Sequence, residues 1–293
     1  MGIDYQLFRF SHGGIFRLVR LVALSAFFRL AALVLLAVPV SCSKETPPVP
    51  EEEAEVVEAG QLYNMSFDRW STSGNVHVCY GSNASASQRQ VWDSANSTTA
   101  ALGKQTTFPE SEFVAVPGEG KHAVRLTTQK VMGKMAAGNL FTGRMVKVNI
   151  FKSTATMDWG TPFSFRPVAM EGYACYHPSK INFTQSPYNS LDGETDTGHV
   201  FVILADWGKA ISVTPPSDDV DIEGDPAIIA YGKVVFDHEM DGYEKFRLEL
   251  DYRNDRTPTH AIIVASSSAL GAYFTGGTGS TLYLDEFSFV YPE

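Results

Sequence analysis

The chain has 293 residues, with 23 basic and 33 acidic side chains and a formal net charge of −10. This acidity argues against a nucleic-acid-binding function, because such a surface needs clustered basic side chains to neutralise phosphates. The residues after position 60 are enough for one large domain.

Residues 1–41 have the composition of an export signal. They contain four arginines and one acidic residue, and an uncharged apolar stretch of about a dozen residues follows Arg29. That stretch is short for a membrane span, which needs about 20 residues. It ends in "PVSC", which resembles a bacterial lipobox with Pro39 in place of the usual aliphatic residue. The resemblance predicts that Cys42 is lipidated in an outer-membrane lipoprotein, either periplasmic or surface-exposed.

Residues 42–60, "CSKETPPVPEEEAEVVEAG", are acidic and rich in proline, which predicts an extended, solvated tether. Residues 42–293 include 19 basic and 32 acidic side chains, a net charge of −13. We therefore expect the membrane to be contacted through the lipid anchor only, and residues 61–293 to form a single domain. Cys79 and Cys175 either form a disulfide or are two small buried side chains, and the sequence leaves both open.

Strand-like segments follow one another along residues 61–293. Five of them are rich in β-branched and aromatic residues and are bounded by turn residues: "RMVKVNIF", "GHVFVILADW", "YEKFRLELDY", "THAIIVASSS" and "TLYLDEFSFVY". The best helical candidate, residues 130–138, contains two glycines. This pattern predicts an all-β fold, most simply a jelly-roll β-sandwich of two antiparallel sheets.

The last strand candidate contains a carboxylate among aromatic residues. Strict alternation places Tyr283, Asp285, Phe287, Phe289 and Tyr291 on one face, which should be buried. An unpaired buried charge is costly, so Asp285 needs a partner or a route to water.

Five blocks in order resemble the putative carbohydrate metabolism domain found in lipoproteins of Bacteroidetes. They extend from Trp92 to Tyr291 and are "WDSANSTTAALGKQTTFP", "GKHAVRLTT", "AAGNLFTGRM", "GTPFSFRPVAMEGYACYHP" and "VASSSALGAYFTGGTGSTLYLDEFSFVY". A wider resemblance, through "NMSFDRW" and "LYLDEF", is to jelly-roll carbohydrate-binding modules. These resemblances imply a jelly-roll domain associated with glycan use, and they do not separate an enzyme from a binding protein.

The wider resemblance also implies that the first and last strands are neighbours, so that Asp68 and Asp285 converge on a structural Ca²⁺ ion. Calcium takes six to eight oxygen ligands, and a structural site can use few carboxylates. The alternative is that Asp285 accepts backbone N–H bonds or reaches water at a bulge. A second acidic segment, residues 218–225, matches the first half of an EF-hand loop. Ala230 stands where a bidentate glutamate is required, so we interpret that segment as a solvated loop.

Sugar binding uses aromatic rings for stacking and planar polar side chains for hydroxyl groups. The candidates in predicted loops are Trp92, Asn96, Trp159, Arg166, Tyr188 and Trp207. Each aromatic ring could instead pack in the core. Arg166 could instead form an ion pair with an interior carboxylate.

The predicted function is therefore that of a lipid-anchored cell-envelope protein that binds oligo- or polysaccharides, with envelope proteins as further candidate partners. One alternative is a glycoside hydrolase, whose two carboxylates would lie about 5–5.5 or 6.5–9.5 Å apart and which the sequence does not identify. A second alternative is a structural or adhesion component with a protein ligand.

Overall fold

The computed structural model describes residues 55–117, 120–149, 152, 154–215 and 217–292. The predicted export signal and Cys42 lie outside these residues, as does most of the predicted tether. Among the described residues, none of the helices is long and apolar enough to cross a membrane.

Antiparallel strands are the main regular secondary structure of the described residues. The first nine are β1 Ser71–Ser73, β2 Val76–Val78, β3 Trp92–Asp93, β4 Thr107–Glu110, β5 Ala123–Thr127, β6 Gln129–Val131, β7 Lys134–Ala136, β8 Asn139–Asn149 and β9 Thr154–Trp159. The others are β10 Thr161–Pro162, β11 Ala169–His177, β12 Gly198–Ala205, β13 Ile211–Val213, β14 Ile228–Phe236, β15 Glu244–Glu249, β16 Asp251–Tyr252, β17 His260–Ser266 and β18 Thr281–Val290. The helices are short: α1 Asn96–Thr99, and the 3-10 turns Gln88–Gln90, Ala100–Leu102, Tyr188–Leu191 and Gly271–Tyr273.

Two sheets form a sandwich, which confirms the predicted fold class. The larger sheet has nine strands, in the order β13-β9-β8-β17-β12-β14-β16, with β10 paired to β17 and β3 to β8. The smaller sheet has the order β15-β11-β18-β5-β4. The main core lies between them, where residues such as Val202 and Ile263 of the larger sheet pack with Leu126 and Leu284 of the smaller.

The strand β18 departs from strict alternation at a β-bulge. Its pairing with β11 shifts register between Glu171 and Tyr173, and Glu286 has a φ of +50°. Because a bulge adds one residue to a strand, it reverses the phase of the alternation beyond it. Phe287 is thus part of the main core, while Asp285 pairs with Tyr173 on the outer side of the smaller sheet. The predicted common face of Asp285 and Phe287 is therefore wrong.

The best helical candidate in the sequence is a β-hairpin. Strands β6 and β7 are antiparallel, and Val131 of β6 pairs with Lys134 of β7. The two residues that join the strands, Met132 and Gly133, have φ values of +49° and +81°. Positive φ at both central residues defines the tight turn that joins antiparallel strands. Glycine at the second position adopts this conformation at little cost, so the segment turns instead of continuing as a helix.

The two ends of the described chain meet on the domain. The Tyr291 hydroxyl donates to the Gly60 carbonyl at 2.6 Å, and the Gln61 side chain bonds both backbone groups of Phe289. The Phe287 N–H also donates to the Met65 carbonyl. The first and last segments of the domain are therefore neighbours, as the jelly-roll resemblance implies.

Candidate functional site

The larger sheet is apolar on its outer face, the face turned away from the smaller sheet. Alternation along β12 turns His199, Phe201 and Ile203 outward, opposite Ser266, Val264 and Ile262 of β17. Most of these side chains belong to a second hydrophobic cluster, which is completed by Val220 and Ile222 from the loop before β14. Because this face is apolar, like the face toward the smaller sheet, it must be covered by further segments of the chain to be kept from water.

A cleft of about 380 Å³ lies between the outer face and the segments that cover it. We call it the outer-face cleft; its aromatic lining is Phe141, Trp159, Phe201, Tyr273 and Phe274. Its volume is in the range of small-molecule sites, which are mostly apolar and have a few placed polar groups. On these grounds we take it as the candidate binding site among the described residues.

Trp159, one of the predicted ligand-binding residues, lines this cleft at the end of β9. Its ring meets that of Phe201 edge-on at 6.0 Å between centroids, and its side chain is only 6% exposed. Its partner across the sheet is Gly143, where an added Cβ would lie 2.1 Å from the Asp158 carbonyl. The indole Nε1 has no hydrogen-bond partner among the described residues.

His199 is a polar residue in the same lining that the sequence analysis did not identify. It is 7% exposed, and its Nδ1 has no partner among the described residues. Burial, reinforced by the charge of Lys233, lowers the pKa of His199 to about 3. The imidazole is therefore neutral at physiological pH.

Carboxylates occupy one edge of the cleft. Asp219, Asp221 and Glu223 follow one another at every second position of a single exposed loop. Asp219 accepts a hydrogen bond of 2.8 Å from the Tyr273 hydroxyl, which ties the loop to the turn Gly271–Tyr273. Glu223 lies 4.0 Å from Arg253. The cleft thus combines aromatic walls with hydrogen-bond acceptors at its edge.

Two further predicted residues lie close to this cleft without lining it. Tyr188 packs edge-on against Tyr273, with 5.3 Å between the ring centroids. Trp207 packs against the second hydrophobic cluster, and its indole donates to Asp225 at 2.8 Å.

The remaining predicted residues have structural partners elsewhere. Trp92 is 3% exposed, packs on Phe67 and donates to the Tyr63 carbonyl, so it presents no ring face to a sugar. Asn96 is buried and holds the backbone of Thr107 through both ends of its amide. Both residues border a second cleft of about 270 Å³, yet their polar groups are already engaged within the protein.

Among the described residues, Arg166 has no ion pair with an interior carboxylate. Its guanidinium donates to the carbonyls of Asn254 and Arg256 and lies 4.2 Å from the ring centre of Tyr252. It therefore fastens the turn after β16 and does not reach the outer-face cleft.

The two aspartates predicted to bind calcium accept hydrogen bonds from backbone N–H groups. Asp285 accepts from the N–H groups of Ala115 and Glu286, at 2.8 and 3.0 Å, and Asp68 accepts from those of Lys121 and His122. The described residues contain no group of three or more His, Cys, Asp or Glu side chains arranged to hold a metal ion. N–H groups aimed at carboxylate oxygens compete with a cation for the same lone pairs, so this arrangement is a poor fit to calcium. The calcium site stays a prediction.

A Cys–His–Glu alignment occurs on the outer side of the smaller sheet. Cys175 Sγ lies 3.7 Å from His177 Nε2, and His177 Nδ1 lies 2.5 Å from Glu239. The thiol is fully buried, and burial, together with nearby acidic side chains, raises the pKa of Cys175 to about 11. A nucleophilic cysteine must be an accessible thiolate, so this alignment cannot attack a substrate. Cys79 and Cys175 are both free thiols.

A family model described as "Putative carbohydrate metabolism domain" matches residues 66–290, most of the chain. The chain belongs to this family. The match confirms the resemblance carried by the five sequence blocks and extends it to the segment around Asp68. Membership of the putative carbohydrate metabolism domain family relates the chain to carbohydrates in general terms.

Two solved structures share the fold of this family member at low sequence identity. A putative glycoside hydrolase from Bacteroides thetaiotaomicron is 20% identical with a TM-score of 0.62, over 81% of this chain and 72% of that one. A putative glycoside hydrolase from Bacteroides vulgatus is 18% identical with a TM-score of 0.51, over 75% of this chain and 89% of that one. A search of curated proteins found no match.

Proposed function

We propose that the protein binds glycans through the outer-face cleft. The observation that supports this most is the combination of aromatic side chains on a rigid sheet with carboxylates at the edge of the same cleft. Aromatic rings can stack on the apolar faces of sugar rings, and carboxylates accept hydrogen bonds from hydroxyl groups. The carbohydrate-related family agrees with this assignment.

The charge of the cleft edge favours neutral glycans. Asp219, Asp221 and Glu223 together repel uronate or sulfate groups, and the net charge of residues 42–293 acts in the same direction. With Cys42 lipidated, the protein would present this cleft at the cell envelope.

A glycan array probed with the purified full chain tests the proposal. We expect binding to neutral oligosaccharides, and we expect Phe201→Ala to weaken it by about tenfold or more, since this ring is a half-buried wall of the cleft. Phe165→Ala is the matched control, because Phe165 is 44% exposed and packs on Phe163 away from the cleft. Binding that Phe201→Ala leaves unchanged would place the glycan elsewhere, and binding to a protein ligand alone would favour the adhesion alternative.

Hydrolysis is the second candidate, because three carboxylates line a cleft large enough for a sugar unit. Release of reducing ends from a glycan that binds, abolished by Asp219→Asn or Asp221→Asn, would make the protein a glycoside hydrolase. Stable binding with no release of reducing ends would leave it a binding protein.

A further inference from the structure

Two residues that line one cleft carry ring nitrogens without hydrogen-bond partners. In the described part of the chain, four buried side-chain nitrogen or oxygen atoms have no hydrogen-bond partner, and two of them are Trp159 Nε1 and His199 Nδ1. Buried polar groups are nearly always paired, so unpaired groups at a cleft call for a partner on the ligand. Both rings meet Phe201 edge-on, Trp159 at 6.0 Å and His199 at 5.4 Å.

Trp159 differs in this respect from the other three tryptophans of the chain. Trp70 donates to the Phe67 carbonyl, Trp92 to the Tyr63 carbonyl and Trp207 to the Asp225 carboxylate. The Trp159 indole is thus the one tryptophan donor left for an external acceptor, and all four tryptophans lie within the described residues.

The imidazole of His199 adds a second donor. A buried N–H without an acceptor is rarer than an unpaired lone pair, so the enclosed Nδ1 is the nitrogen that lacks the proton. The proton of the neutral ring is then on Nε2. The cleft therefore presents an indole N–H at Trp159, which needs an acceptor, and an imidazole at His199 whose Nδ1 offers a lone pair and whose Nε2 offers an N–H.

The surroundings of these donors determine which acceptor fits. The adjoining lining is apolar and includes Met145, Met157, Ile203 and Val264. Beside the Trp159 indole, a sugar hydroxyl would bring an O–H that finds no acceptor among these apolar side chains and would be costly to bury. A carbonyl oxygen brings lone pairs only, and the methyl group of an acyl substituent would bury apolar surface against the same wall.

We propose that the outer-face cleft recognises an acylated saccharide, with the acyl carbonyl accepting from the Trp159 indole N–H and the acyl methyl packed on the apolar wall. Hydroxyl groups of the sugar ring then face the carboxylates of the cleft edge. Three flexible methionine side chains, Met135, Met145 and Met157, line the cleft and can move to admit the carbonyl to the enclosed Trp159 indole nitrogen. This inference rests on the proposed glycan-binding function.

Matched glycans with and without acyl groups test the inference on the intact protein. The panel contains neutral N-acetylated oligosaccharides beside their 2-hydroxyl counterparts of the same linkage, and O-acetylated polysaccharides before and after mild alkaline deacetylation. We expect the acylated member of each bound pair to bind at least about tenfold more tightly, as the loss of one buried hydrogen bond and a packed methyl group implies.

Two readouts link that preference to Trp159. Trp159→Phe keeps an aromatic ring and removes the N–H, so it should abolish the preference for acylated glycans. Trp70→Phe removes an indole whose N–H is bonded inside the protein, and it should leave the preference intact. In the wild type, which requires no variant to fold, the acylated glycan should shift the nuclear magnetic resonance signal of one of the four indole protons, and Trp159→Phe should identify it.

The outcomes separate this inference from the proposed function. Equal binding of acylated and deacylated partners, or four indole signals that do not respond to the acylated glycan, would overturn the inference and leave glycan binding in place. Failure to bind any glycan in the panel would overturn both.

Discussion

Asp285 is a buried carboxylate whose two oxygens are both bonded to backbone N–H groups. Burial raises the pKa of Asp285 to about 6 despite these bonds, and the negative charge of Asp68 acts in the same direction. Hydrogen bonding therefore makes the buried position tolerable, and the remaining cost of the charge appears as a raised pKa.

The raised pKa of Asp285 makes stability depend on pH. Between about pH 4 and pH 6 the folded chain retains a proton that the unfolded chain has released, so this residue makes the free energy of unfolding fall as pH rises. Below pH 4 its contribution is fully present, and above pH 6 it is lost. Asp285→Asn should remove this slope, which is at most about 1.4 kcal/mol per pH unit. Urea unfolding of the wild type and of Asp285→Asn from pH 4 to pH 7 measures this slope. The contribution of His199 has the opposite sign, is the same in both proteins and cancels in the difference between them.

A calcium ion shared by Asp68 and Asp285 would give the opposite sign. A bound cation stabilises the ionised carboxylate, so stability would rise with pH and chelation would remove the gain. At 100-fold excess of ion over its dissociation constant, chelation would lower the melting temperature by roughly 5–11 °C. A melting temperature that does not respond to chelator or to added calcium would exclude the ion.

A second prediction for a single residue concerns the buried ring of Trp92. Trp92→Ala should cost about 3–5 kcal/mol, because it leaves a cavity beside Phe67 and removes the donor to the Tyr63 carbonyl. For a domain of this size, that loss lowers the melting temperature by roughly 6–20 °C. Calorimetry measures the loss, and glycan affinity of the folded protein should be unchanged. Lost affinity with an unchanged melting temperature would instead support sugar stacking on Trp92.

Periodicity within single strands was predictable from the sequence, whereas pairing between distant strands was not. The alternation of "FRLEL" is observed in β15, where Phe246 and Leu248 are buried and Arg247 and Glu249 are exposed. The bulge in β18 depends on its partner β11, where Gly172 leaves room for the Phe287 ring; an added Cβ there would lie 2.5 Å from it. Such a fit between distant residues has no signal in the local pattern.

The candidate site was predictable only in part, for a related reason. Trp159 was identifiable because it is a large aromatic residue followed by a turn-forming glycine. His199 begins "HVFVILA", a segment apolar on both faces, which predicts a central strand and is one. Local sequence does not reveal whether the second buried face of such a strand is filled completely or leaves a cleft, because that depends on the loop containing Val220 and Ile222.

The β6–β7 hairpin yields a prediction for one element. Met132 adopts a left-handed conformation that disfavours most side chains, and it is 73% exposed, so it contributes little packing. Met132→Asn would create an Asn-Gly turn, which this geometry prefers, and should stabilise the fold by about 0.5–1 kcal/mol.

Urea unfolding measures that gain, with Val146→Asn as the control. Val146 is also an exposed apolar side chain, at 51%, but it lies in β8 without positive φ, so its replacement should bring no gain. If the two substitutions had equal effects, any gain would come from placing a polar side chain in water and not from the turn.

For the whole molecule, two apolar clusters share the larger sheet as a common wall. The main cluster holds the two sheets together, and the second forms the floor of the outer-face cleft. The cleft therefore lies on a rigid support, which suits binding with little rearrangement of the backbone.

The predicted lipid anchor determines where that cleft would act. Cys42→Ala should remove the acylation site and release the chain from the membrane fraction, or stall its processing. Cell fractionation with and without detergent measures the distribution. Unchanged, detergent-dependent membrane association of the variant would contradict the lipoprotein assignment.

The bond between Gly60 and Tyr291 means that the polypeptide enters and leaves the sandwich at a single corner. Circular permutation, which joins the two ends and opens new termini elsewhere, should therefore change the order of the chain without changing the fold. A short linker from residue 292 to residue 60, with new termini between Asp241 and Gly242, cuts a loop in which Gly242 has open space around it. Circular dichroism and glycan affinity of this permuted chain should match those of the native order. A permuted chain that does not fold would show that the covalent path through that loop, and not the meeting of the ends, maintains the corner.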